Sequence, residues 1–126
     1  MSLLIANFFI DSYVMSAGHR LLTIDRSSSQ PAIHIIEISN VATLPYAMSF
    51  KAEIQGASLM YNGGRVWNSA IIDIRPSETV LQEHPLRIIA PGTAILHFRS
   101  AEVRAHSGRV RRIYEGSGFS TTIQVV

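Results

Sequence analysis

Hydrophobic and polar residues alternate with a period of two along much of the chain. Met48, Phe50, Ala52 and Ile54 are interleaved with Ser49, Lys51, Glu53 and Gln55. Phe119, Thr121, Ile123 and Val125 repeat the pattern at the C-terminal end. A strict period of two places one face of a strand in a core and the other in water. No stretch of about 12 residues carries an apolar stripe at i, i+3, i+4, so the pattern predicts strands and little or no helix. The expected strands are 3–14, 20–24, 32–38, 47–55, 58–61, 65–74, 79–81, 86–90, 93–105, 109–115 and 119–126. In the run Ile33-His34-Ile35-Ile36-Glu37-Ile38 the alternation changes phase. A bulge or burial on both faces accounts for such a change.

The breaks between runs carry turn chemistry. Arg26 to Pro31, Ser39 to Pro45 and Arg75 to Glu78 read as loops, and Ala90-Pro91-Gly92 as a type II turn. Asn62-Gly63 is the strongest hairpin signal. A three-residue loop there sets Tyr61 opposite Arg65 and Leu59 opposite Trp67. A second hairpin turns at His106-Ser107-Gly108. Its three-residue register sets Glu102 opposite Arg112 and Arg99 opposite Glu115, whereas a two-residue loop sets Arg104 opposite Arg111. Opposite charges across a strand pair are favourable and like charges are not, which favours the first register. About ten short strands within residues 1–126 predict one all-β domain. The expected form is an antiparallel two-sheet β-sandwich or jelly roll, with a closed β-barrel as the alternative.

Composition sharpens this picture. Ile, Val and Thr number 30 against nine Leu, and β-branched side chains pack well on pleated surfaces. The chain is 47% apolar and 16% charged. About 25% charge is usual, so few charges remain to cover the surface. A face or edge buried between subunits absorbs such a surplus, which predicts a homo-oligomer. The absence of cysteine excludes a disulfide framework, a thiol nucleophile and a thiolate metal site. The run Leu3–Ile10 is too short for a transmembrane span. It also lacks the flanks of a secretory signal, so the cytoplasm is the default compartment and a virion or particle the alternative.

The formal charge of +2 is unevenly placed. Residues 97–126 hold Arg99, Arg104, Arg109, Arg111 and Arg112 against Glu102 and Glu115, a net +3. Residues 1–96 carry six bases and seven acids, a net −1. Arginine forks suit phosphate and carboxylate, so this hairpin is the expected site for an anionic ligand such as a nucleic acid, nucleotide or phosphosugar. The plainer reading is a solvated hairpin whose charges pair across strands. Tyr61, Arg65 and Tyr114 form a second expected surface, suited to lectin-like carbohydrate binding. Trp67 lies in an apolar run and reads as core.

Enzymatic motifs are missing. The five histidines follow no ligand spacing, so no metal is expected, and no glycine-rich segment opens a helix to bind a cofactor phosphate. Gly116-Ser117-Gly118 lacks the serine-nucleophile pattern and its strand-turn-helix context. The sequence therefore predicts a non-catalytic binding or assembly protein without catalytic residues, metal or cofactor.

Overall fold

A computed structural model describes the backbone of residues 2–10, 14–17, 21–27, 32–105, 111–115 and 120–126, and the side chains of 22–27, 32–104 and 120–126. Twelve strands are present among these residues: β1 (Ser2–Ile10), β2 (Val14–Ala17), β3 (Leu21–Ile24), β4 (Ile33–Asn40), β5 (Tyr46–Gln55), β6 (Leu59–Tyr61), β7 (Val66–Asn68), β8 (Ile72–Ile74), β9 (Thr79–Ile88), β10 (Gly92–Ala105), β11 (Arg111–Glu115) and β12 (Ser120–Val125). They form two sheets. One runs β2-β1-β4-β9-β6. The other runs β3-β12-β10-β5-β7, with β11 also paired to β10 and β8 to β5. The two sheets face one another as a β-sandwich and do not close into a barrel.

Most pairings are antiparallel, as expected, but β1–β4 and β3–β12 are parallel. A parallel pair needs a crossover connection. The chain supplies one for β1–β4 by visiting the opposite sheet as β3 between β2 and β4.

The alternation read from the sequence defines the core. Met48, Phe50, Ala52 and Ile54 are all buried, as are Thr121, Ile123 and Val125. Along β10 the inward residues are Ala94, Leu96 and Phe98, then Ala101 and Val103. The change of parity falls at a bulge, since Phe98 pairs with Ala52 and Ser100 with Lys51, leaving Arg99 as the extra residue. β4 has no such bulge against β9. Its phase change arises because His34 and Asn40 are polar residues in the inward row with Ile36 and Ile38, while Ile35 is buried in the other row.

Asn40 shows how a polar side chain can belong in that row. Its Nδ2 donates to Leu44 O at 2.9 Å and to Ile74 O at 3.0 Å, and its Oδ1 accepts from Ala42 N at 3.0 Å. One amide thus ties the end of β4 to the following loop and to β8, with its donors and acceptor satisfied.

Three boundaries differ from the sequence reading. The 65–74 segment is two strands, because both pair with β5 but at separate registers. Of the expected 3–14 segment, residues up to Ile10 belong to β1, whereas Val14 opens a further strand, β2, that runs on to Ala17. The segments 79–81 and 86–90 belong to one ten-residue strand, β9, which runs through Pro85. Pro85 stands where β9 changes partner, from β4 to β6, and a proline is tolerated at such a point.

The Asn62-Gly63 turn does not make a hairpin. Tyr61 and Gly64 exchange backbone hydrogen bonds at 2.8 and 3.2 Å, so the loop has two residues rather than three. The chain then separates, with β6 joining β9 and β7 joining β5 in the other sheet. The turn is a corner between sheets, and two apolar segments with different partners override the local hairpin signal.

Candidate functional site

The arginine ribbon is built differently from the charge-pairing expectation. β10 and β11 pair with Arg104 opposite Arg111, Val103 opposite Arg112 and Glu102 opposite Ile113. This is the register that charge pairing disfavours. Glu102 and Arg99 find their ion-pair partners elsewhere. Arg104 Nη2 lies 2.7 Å from Glu102 Oε1 on its own strand, and Arg99 Nε lies 3.3 Å from Glu53 Oε2 on β5. Exposed or half-exposed ion pairs of this kind contribute at most about 1 kcal/mol, too little to set a register. Arg109 and the 106–108 turn lie outside the described residues, as do the side chains of Arg111, Arg112 and Tyr114.

The expected aromatic surface loses a member. Tyr61 is 1% exposed and packs in the core, because β6 turns it inward together with Leu59. Arg65 is exposed, and its guanidinium donates to Gly56 O.

Tyr61 instead belongs to a ring cluster between the sheets. Its hydroxyl lies 2.7 Å from His34 Nδ1. The Tyr61 and His34 rings are stacked at 5.8 Å. Trp67, from the opposite sheet, lies in T-shaped contact with His34 at 5.6 Å and with His84 at 5.1 Å. Phe50 meets Trp67 at 4.8 Å and extends the cluster toward Phe98. Burial is the main cause that lowers His34 to a pKa of about 3, with the nearby His84 adding to it. Burial also raises the Tyr61 hydroxyl above its ordinary value. Both groups are therefore neutral at pH 7, and the pair is a polar tie in an aromatic core. Its signal in the sequence was the phase change around His34.

A different kind of site lies along β9. Its inward row is Val80, Gln82, His84, Leu86 and Ile88, and its outward row includes Thr79, Leu81 and Glu83. On one side β9 pairs with β4 from Thr79 to Pro85. On its other side β6 covers only Leu86 to Ile88. Among the described residues, no strand pairs with the remaining flank, Thr79 to His84. Val80 on this flank is half-buried against the core, and Trp67 from the opposite sheet meets His84 at its end. Leu81 is 53% exposed on the outer face. The sequence hid this strand because Gln82-Glu83-His84-Pro85 reads as a break. The period of two from Thr79 to Ile88 was its only signal.

Other surface features are modest. A shallow depression of about 280 Å³ on the outer face of the seven-stranded sheet is lined by Ser49, Lys51, Asn68, Ser69, Ser100 and Glu102, among others. Among the described residues no three His, Asp or Glu side chains gather as a metal site. No helix there is long and apolar enough to cross a membrane.

No family model and no curated protein matches the sequence. Three solved structures align with this chain, each at a TM-score below 0.5. The PapD-like domain 7 (ASH / PapD-like) of human CEP192 aligns over 85% of this chain and 82% of that one, at 10% identity and a TM-score of 0.45. A blue copper oxidase from Nitrosomonas europaea aligns over 97% of this chain at 11% identity and a TM-score of 0.31. Lac15 from a marine microbial metagenome aligns over 99% at 12% identity and a TM-score of 0.27. This chain spans 44% and 28% of the lengths of those last two.

Proposed function

We propose that this chain is a non-catalytic β-sandwich that self-associates, serving as a component of a larger assembly or as a multimeric binding module. The observation that carries this reading is the uncovered flank of β9. An uncovered strand flank presents a row of backbone donors and acceptors and readily pairs with another chain. The strands at the other margins are short: β6, β7 and β8 have three residues each, β2 and β3 four and β11 five. The exposed Val41, Leu44, Ile71 and Leu81 add apolar surface to a chain poor in charge. Sedimentation over about 10 to 500 µM is the direct test, because association rises with concentration by mass action. A concentration-dependent mass above 13.9 kDa is expected. A monomer throughout that range rejects the proposal.

A second reading keeps the arginine ribbon as a site for an anionic ligand. It is supported by the observed register, which sets Arg104 directly opposite Arg111. Two arginines at opposed positions suit an anion that competes with Glu102 for Arg104. Binding of a single-stranded oligonucleotide is expected to weaken steeply with salt and to be lost when Arg109, Arg111 and Arg112 are all changed to Ser. Undiminished binding by that variant sinks this reading.

A further inference from the structure

Building on the self-association reading, we infer that two copies join β9 to β9 in antiparallel register, with a twofold axis through Leu81. The partner is thus a second copy of this chain, and the two five-stranded sheets become one continuous sheet.

The backbone supplies the argument. Leu86 N donates to Ala32 O at 2.9 Å, on the β4 side of β9. At the other end of the ladder Asn40 N donates to Glu78 O at 2.9 Å. The register between these bonds is unbroken, from Ile33 opposite Pro85 to Ser39 opposite Thr79. In an antiparallel ladder the hydrogen-bonded residues alternate. Val80, Gln82 and His84 therefore spend their N–H and C=O groups on β4. Thr79, Leu81 and Glu83 turn theirs away from it, toward the uncovered flank. The same parity holds further along, where Asn62 N donates to Pro85 O from the β6 side at 3.3 Å.

A twofold axis between antiparallel strands sets one residue opposite its own copy. Centred on Leu81, the pairs are Leu81 with Leu81 and Thr79 with Glu83 in both directions. All three outward-turned residues then form hydrogen-bonded pairs, giving about six new backbone bonds. Centring on Gln82 or Val80 gives about four, since only two such pairs form. Centring on Glu83 sets two carboxylates opposite each other, which is unfavourable. The window also fits. The bond from Asn62 to Pro85 limits it on one side, and the turn closed by Glu78 N to Arg75 O at 3.1 Å limits it on the other. The residues between those limits that turn their backbone groups to the flank are Thr79, Leu81 and Glu83, and Leu81 is the middle one.

The absence of cysteine makes a clean experiment possible. Opposed Cα atoms in a hydrogen-bonded antiparallel pair are about 5.5 Å apart, within disulfide reach. Leu81→Cys is expected to oxidise to a covalent dimer at least about tenfold faster than Ile71→Cys, because pairing raises the effective thiol concentration. Ile71 is a fair control, being 75% exposed. Equal rates in a protein that sedimentation shows to be dimeric overturn this register and leave self-association standing. A monomeric wild type overturns both.

Proline gives an independent check. Leu81→Pro removes an N–H that faces the flank and is expected to yield a monomer whose thermal midpoint stays within about 5 °C of the wild type. Gln82→Pro removes an internal bond to β4 and is expected to lower that midpoint by more than about 10 °C. The opposite ranking of the two midpoints overturns the assignment of the outward row.

Discussion

Acidification from pH 7 toward pH 4 is expected to destabilise this protein strongly, with His34 as the main cause. The side chain is 2% exposed, and burial holds its folded pKa near 3 against an ordinary value of 6.5. Below pH 6.5 the unfolded chain takes up a proton that the folded chain refuses. The stability contributed by the neutral imidazole is therefore complete above pH 6.5. It is lost as pH falls through the window toward 3, by about 1.4 kcal/mol for each unit. The full window amounts to several kcal/mol, a large share of the roughly 5–15 kcal/mol that holds a domain together. His97, lowered first by burial and then by Arg99 against an opposing effect of Glu53, acts in the same direction. Urea midpoints at pH 7, 5.5 and 4.5 measure the slope. Changing His34 and Tyr61 together to Phe removes both halves of the 2.7 Å hydrogen bond and leaves no orphaned partner. The double variant is expected to lose most of the slope between pH 6.5 and 4.5. A wild type and double variant that fall in parallel exclude His34 as the cause.

The second large effect is expected at Gly56. This residue closes β5 with φ +102°, a conformation that side chains rarely adopt. A Cβ placed there stands 2.5 Å from Thr93 O and 3.1 Å from Ala94 Cα, both backbone atoms of β10. Neither can swing aside as a side chain does. Gly56→Ala must displace the start of β10, which also carries β12, and is expected to cost about 2–4 kcal/mol. Gly63 is the matched comparison, with φ +121° and no atom within 4 Å of an added Cβ. Gly63→Ala meets only the backbone penalty, about 1–2 kcal/mol. The difference between the two thermal midpoints measures the collision with β10. Equal losses dispose of the collision.

How much of this the sequence disclosed depends on what each residue's neighbours are. The inward rows of β5 and β12 were legible because apolar and polar residues largely alternate there, with the outward Ala47 and the buried Thr121 as the exceptions. β4 and β9 were partly obscured, because His34, Asn40, Gln82 and His84 occupy inward positions. A polar residue in an inward row reads as a break unless its partner is known. The partners are Tyr61 for His34, and Leu44, Ile74 and Ala42 for Asn40. They stand between 2 and 34 residues away in the chain. Tyr61 reads as a surface residue for the same reason. A tyrosine beside Asn-Gly looks exposed until β6 is seen to leave its expected partner for β9.

By itself, the sequence determined the all-β class and the residues of the main core rows, because those follow from a period of two and from β-branched packing. It favoured two sheets but left a closed barrel open, because both forms bury the same alternating rows. Only the tertiary structure decided which strands meet. The hairpin signals at Asn62-Gly63 and at 106–108 are local, and each is worth a few tenths to one kcal/mol. Burial of whole apolar rows is worth many times that. It sent β6 and β7 to different sheets, and among the described residues it left Thr79 to His84 of β9 without a partner strand on one side.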